Sequence, residues 1–231
     1  MLRRFVDFIA TAVRQAVPIG GIFGLGWQPA TAIAVYWLES VLLAGIAVAA
    51  CFQLRRRTSA AAIAQSRAAG DLAHAEALQA AQHASRTAGV NPHDVLLFHG
   101  SSLAVFGVFF AAILLMLARK GGLAEAFDLA ELRHGATTMA IVVASGFALE
   151  QLMVPEPGVS AVQSRVNACL GRWSLLWLLG FGGTAMLAFT DRPQRFFQLF
   201  AVLKLTWEVW GALARVFGWT SLQDGERARV G

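Results

Sequence analysis

The sequence predicts an all-α membrane protein, a bundle of about six transmembrane helices. Composition comes first: of 231 residues, 57% are hydrophobic and 14% are charged, against roughly a quarter charged in soluble domains. Mean hydropathy is +0.57, too apolar for a solvated surface around one core. Third, the apolar residues gather into runs of about 20, the length that crosses a hydrocarbon core of about 30 Å. Disorder is excluded, because disordered chains are poor in apolar residues. A disulfide-stapled mini-protein is excluded by the two cysteines.

The runs fall at 5–26, 30–53, 95–118, 135–154, 173–190 and 194–217. The first is interrupted by Asp7, Arg14 and Pro18, which also make it a poor secretory signal. An amphipathic helix in the interface is the alternative there, but Ala16 to Trp27 is uncharged and favours a span. The second and third runs are uninterrupted enough to need no arbitration. The fifth is short and glycine-rich, and Asp191-Arg192-Pro193 ends it.

Arg and Lys placement sets orientation. With both termini inside, Arg3, Arg4, Arg55, Arg56, Arg57, Arg67, Arg86, Arg165, Arg172, Arg215, Arg227 and Arg229 are cytoplasmic. Arg119, Lys120, Arg133, Arg192 and Arg195 are outside, and Arg14 and Lys204 lie within the membrane. This positive-inside bias predicts a multi-pass membrane protein partnered by the lipid bilayer, and the alanine and arginine richness points to a high-GC bacterium and so to its inner membrane. It also explains the net charge of +5 without a nucleic-acid partner, since the basic residues form no single stripe. Cys51 and Cys169 fall on the reducing side, so no disulfide is expected.

One membrane domain is expected over 1–220, followed by a disordered cytoplasmic tail at 221–231. The domain carries an alanine-rich cytoplasmic insertion at 58–94, which reads as a helix or a helical hairpin about Gly70. Its His74 and His83 read as solvated surface histidines rather than a metal pair. Asn91-Pro92-His93-Asp94 reads as the turn that starts the third run. Gly20-x-x-x-Gly24 and Gly180-Phe181-Gly182-Gly183-Thr184 are expected to allow close helix approach. Trp27, Trp173 and Trp219 are expected at interfaces, with Trp207 and Trp210 in the bundle interior.

Ionisable residues at membrane depth cost several kcal/mol, so they are expected to face inward and to be paired. Arg14, Glu39 and Lys204 each lie about ten residues into their runs, near the midplane at about 1.5 Å per residue. Glu39–Lys204 is the first pairing expected and Glu39–Arg14 the second. A layer nearer the cytoplasm holds His99, Glu150 and Glu208, with Glu208 one turn after Lys204 on the same helix face. His99, as a lone intramembrane histidine, is expected to bond a neighbouring helix. Glu150 reads equally as a side chain reaching the interface.

These residues form a pattern. Pro-Ile-Gly-Gly precedes Gly26-Trp27, then Tyr36-Trp37-Leu38-Glu39-Ser40; Phe98-His99 opens a phenylalanine-rich helix, and Lys204-x-x-x-Glu208 closes the series. The chain resembles the bacterial integral-membrane family catalogued as domain of unknown function 6498. That family carries Tyr-Trp-x-Glu-Asn, His-Tyr-Gly followed by His-Gly, and Lys-x-x-x-Asp. The resemblance implies that Glu39, His99 and Lys204 are positions the family also marks. Ser40 stands for Asn here, Gly100-Ser101 for Tyr-Gly, and Glu208 for Asp, and the third run has no second histidine. The family implies an architecture and no activity.

Three functions stay open. Arg14, Glu39, His99, Lys204 and Glu208 could bind or move a small substrate or protons, a path that six helices would complete by homo-oligomerisation. Glu39, His99, Glu150 and Glu208 could supply metal ligands in an intramembrane enzyme, with His99, Glu150 and Glu208 the candidates nearest the cytoplasmic face, although no ligand pair at helical spacing supports it and Arg14 and Lys204 repel a cation. The cofactor stays open, and haem lacks an evident second axial ligand. Finally, the ion pairs could simply fix helix register in a structural or partner-binding protein. A dry, direct Glu39–Lys204 pair favours that last reading, and a polar cavity open to one face favours transport.

Overall fold

A computed structural model describes residues 2–121, 128–153, 158–189 and 193–217, and among these residues there are helices and turns but no strand. Helix α1 spans Leu2–Ile19 and widens into a π-helical turn at Gly20–Gly24. Then come α2 (Pro29–Arg57), α3 (Ala60–Ala68), α4 (Leu72–Thr87) and α5 (Pro92–Gly121). Helices α6 (Leu129–Met153), α7 (Val159–Phe189) and α8 (Pro193–Phe217) complete the order. The runs 30–53, 95–118 and 194–217 each lie within one helix, α2, α5 and α8, while the run 5–26 is divided between α1, the π-helical turn and the loop after it. The fold is all-α, and among the described residues three helices are long and apolar enough to cross a membrane: their apolar windows lie in Ala30–Ala68, Leu72–Ile113 and Leu129–Met153.

Helix starts follow local chemistry. Proline opens α2, α5 and α8, where its missing N–H is one of the donors a helix leaves unbonded anyway. Ser59 accepts from the Ala62 N–H and Asp71 from the His74 N–H, capping α3 and α4. Gly70 between them has φ +79°, so the insertion turns there and α3 packs on α4. Asp128 Oδ1 accepts from the amides of Ala130 and Glu131 at the start of α6. Glu131 in turn accepts from the Gln28 amide and the Thr31 hydroxyl, placing a carboxylate at the N-terminus of α2. Helix α7 begins well before the apolar run at 173. Apolarity marks where a membrane can cover a helix, whereas the backbone ladder continues through Gln163, Arg165 and Asn167 because nothing there breaks it.

The chain divides into two compact units. One comprises Met1–Glu39, Phe109–Met153 and Leu178–Gly231; the other comprises Ser40–Val108 and Val154–Trp177. In the first, α1 packs against α8 and α6 through a stripe containing Thr11, Gln15, Pro18 and Ile22. The opposite face, with Phe5, Ile9 and Val13, is exposed. In the second, Ala50, Cys51 and Leu54 of α2 form a core with Val90, Val95 of α5 and Val162 of α7. Both cysteines are buried and neither forms a disulfide.

Trp27 is covered by the protein itself and is 4% exposed. It is wedged between two glycines: a Cβ on Gly21 would collide with the indole, and one on Gly135 would come within 2.6 Å of it. The wide turn makes this possible, because the Trp27 amide bonds back to the Gly21 carbonyl at 2.9 Å and Gly26 reverses the chain at φ +67°. The close approach therefore occurs at Gly21, not at Gly20 or Gly24, which have nothing within 4 Å. Trp173 is buried as well. Trp207 and Trp210, expected inside, are 64% and 61% exposed. The buried stripe of α8 runs through Phe200, Lys204, Glu208 and Ala212, and helical period turns 207 and 210 away from it. Trp219, the Asp191-Arg192 pair and the 221–231 tail lie outside the described residues, as do the surroundings of Gly180, Gly183 and Thr184.

Candidate functional site

The first unit buries a charged network on α1, α2 and α8. Lys204 is 1% exposed and Glu39 is 0% exposed, and their Nζ and Oε2 are 2.9 Å apart. Helical spacing supplies the rest. Glu208, four residues after Lys204, offers Oε1 at 3.4 Å. On α1, Gln15 Oε1 accepts from Lys204 at 2.9 Å, while Gln15 Nε2 donates to Glu39 Oε1 at 3.0 Å. The amide can face only this way, because ammonium only donates and carboxylate only accepts. Arg14 Nε lies 3.9 Å from Glu39 Oε1, and its Nη2 donates to Thr11 Oγ1 at 3.0 Å.

The three N–H donors of Lys204 thus meet three acceptors: Gln15, Glu39 and Glu208. Its ammonium also sits 4.6 Å from the centre of the Tyr36 ring, a cation–π distance, and Phe200 packs edge-on against that ring at 6.0 Å. Arg14 and Lys204 balance the formal charge of Glu39 and Glu208. Desolvating four charges is tolerable only when each is compensated this closely.

Four of the residues singled out in the sequence are therefore brought together: Arg14, Glu39, Lys204 and Glu208. Both expected pairings, Glu39–Lys204 and Glu39–Arg14, occur. Gln15, Thr11 and Tyr36 are the members that charge counting missed. The available signal was polarity at depth: Thr11 and Gln15 are one turn apart on the face of α1 that also carries Arg14. Glu150 is half-buried on α6.

His99 belongs to the second unit and has a different environment. It is buried, and Trp173 Nε1 on α7 donates to its Nδ1. An Nδ1 that accepts carries a lone pair, so the neutral imidazole holds its proton on Nε2. That nitrogen is buried and has no hydrogen-bond partner among the described residues. Neither nitrogen then offers a free lone pair to a metal. Among the described residues no three His, Cys, Asp or Glu side chains gather where they could hold a metal ion. His74 and His83 are exposed on α4.

No curated protein and no solved structure matches this chain. A family model matches over residues 3–227, a span that takes in the Tyr36-Trp37-Leu38-Glu39 motif, Phe98-His99 and Lys204-x-x-x-Glu208. The chain belongs to the family of unknown function DUF6498.

Proposed function

We propose that this is a multi-pass integral membrane protein of the bacterial inner membrane, both termini cytoplasmic, in which buried ion pairs fix helix register. It acts as a structural or partner-binding protein. The saturation of Lys204 by Gln15, Glu39 and Glu208 carries this reading. A buried ammonium with no donor to spare has nothing left to offer a substrate, and any slip of α8 against α1 or α2 would strand a charge. Helix α1 adds support for a lipid surround. Its buried face holds Thr11, Arg14 and Gln15, while Phe5, Ile9 and Val13 face outward, the reverse of a water-soluble helix. With its π turn it covers 23 residues, about 34 Å at 1.5 Å per residue.

The test is a double-mutant cycle on Lys204→Met and Glu39→Gln, read as thermal stability in detergent. Strong destabilisation by Lys204→Met with recovery in the double mutant is expected; additive losses would sink the register-fixing role.

A second reading, proton movement, draws on one observation: a single ammonium is shared by two carboxylates, Glu39 and Glu208. Proton flux into liposomes holding the wild type and Glu208→Gln separates the two. Flux that the substitution abolishes favours the pathway, and no flux in either favours the structural role.

A further inference from the structure

The second unit contains a cavity of about 590 Å³ where four helix ends meet: the end of α2, the start of α3, the end of α4 and the start of α5. Its position along the chain is informative. It is lined from Leu54 onward on α2 and up to Asp94 on α5, so it begins where the apolar run 30–53 stops and ends where the run 95–118 starts. In a membrane that is headgroup depth, and by the arginine bias it is the cytoplasmic side.

The lining is amphipathic and basic. Leu54 and Val90 belong to the buried apolar core and give the cavity a hydrophobic floor. Arg55 and Arg86 line it from α2 and α4, and neither guanidinium has a hydrogen bond or ion pair among the described residues. The one acidic lining residue, Asp94, already accepts from Asn91 Nδ2 at 3.0 Å. Of the hydroxyls, Thr58 and Ser85 donate to the Leu54 and Gln82 carbonyls, while Ser59 accepts from an amide and keeps its own hydrogen to donate. Two unpaired guanidinium forks with a spare hydroxyl match the planar, multidentate demands of a phosphate group.

We propose that this cavity binds a phosphate-bearing ligand through Arg55 and Arg86, either the headgroup of an anionic phospholipid or a free phosphomonoester. The lipid source rests on the membrane reading above; the phosphate chemistry does not. Basic pockets between helix ends on the cytoplasmic side are where anionic headgroups bind.

The experiment uses the full chain in detergent, titrated with phosphatidylglycerol, phosphatidylcholine or glycerol 3-phosphate, with bound ligand read by native mass spectrometry. Phosphatidylglycerol is expected to bind, and phosphatidylcholine to bind much more weakly. Arg55→Gln/Arg86→Gln should weaken phosphatidylglycerol roughly tenfold or more, the scale of lost hydrogen bonds to a charged group. Arg55→Lys/Arg86→Lys should keep most of the binding, which separates lost charge from lost fold. Arg56→Gln, exposed and outside the lining, should match wild type. Competition by glycerol 3-phosphate points to a free phosphomonoester, and its failure to compete points to a lipid. The proposal is overturned if the Gln double mutant binds like wild type, if Arg56→Gln loses as much, or if phosphatidylcholine binds equally well. Release of the protein from membranes by alkaline carbonate would sink the membrane reading alone, leaving the glycerol 3-phosphate arm to decide the phosphate site.

Discussion

Lys204 Nζ lies 2.9 Å from Glu39 Oε2, and both side chains are excluded from solvent. Lys204→Met removes the ammonium and leaves Glu39 a buried, uncompensated carboxylate. A loss of about 3–5 kcal/mol is expected, the usual cost of breaking one partner of a buried pair. Thermal unfolding in detergent measures it. Adding Glu39→Gln should recover a large part of that loss, and a double mutant less stable than either single would mean the two are not partners.

Gln15 is the neutral member that joins the two charges. Replacing it with Leu leaves Glu39 and Lys204 each short of one hydrogen bond, at a cost of about 1–3 kcal/mol per unsatisfied group. Gln15→Glu should be worse at neutral pH, since it faces Glu39 Oε1 with a second anion. An unfolding midpoint unchanged by either substitution would contradict the geometry.

Trp27 fills the space that Gly21 and Gly135 leave. Gly135→Ala should displace the indole and destabilise by about 1–3 kcal/mol, as overpacking does. Trp27→Leu in the same chain should relieve part of the loss. If Gly135→Ala is neutral while Trp27→Leu is costly, the glycine is not what admits the ring.

The Trp173–His99 hydrogen bond fixes a tautomer that can be read directly. Nitrogen-15 shifts of His99 should report the proton on Nε2 in the wild type, and a mixture of tautomers in Trp173→Phe. Elemental analysis of wild type beside His99→Ala should show no difference in bound metal. A near-stoichiometric metal lost in His99→Ala would refute the tautomer assignment.

Cys51 and Cys169 are both buried in the second unit. A membrane-permeant maleimide should leave them unlabelled in the native protein and label both after denaturation without prior reduction. Labelling that requires reductant would reveal a disulfide.

Much of the helical layout was legible in the sequence, because a membrane-length apolar run and a proline or Asp/Ser cap are local properties. The runs 30–53 and 95–118 fall inside α2 and α5, and Asn91-Pro92 does start α5. The Glu39–Lys204 pairing was legible too, since equal depth and opposite charge narrow the options for a buried ion. Tryptophan placement was not. Indole suits a lipid-facing surface or a core equally well, so depth along a helix did not reveal that Trp27 and Trp173 are covered by the protein while Trp207 and Trp210, expected in the interior, are exposed.

The sequence by itself determined the helical class, the positions of the apolar runs and the need to pair Arg14, Glu39 and Lys204, because hydrophobicity and the cost of burying charge act residue by residue. Only the tertiary structure decided that Gln15 bridges the pair, that two glycines on separate segments admit Trp27, and that His99 accepts from Trp173. Each depends on which helix faces meet, and a face is set by packing between segments distant in the chain.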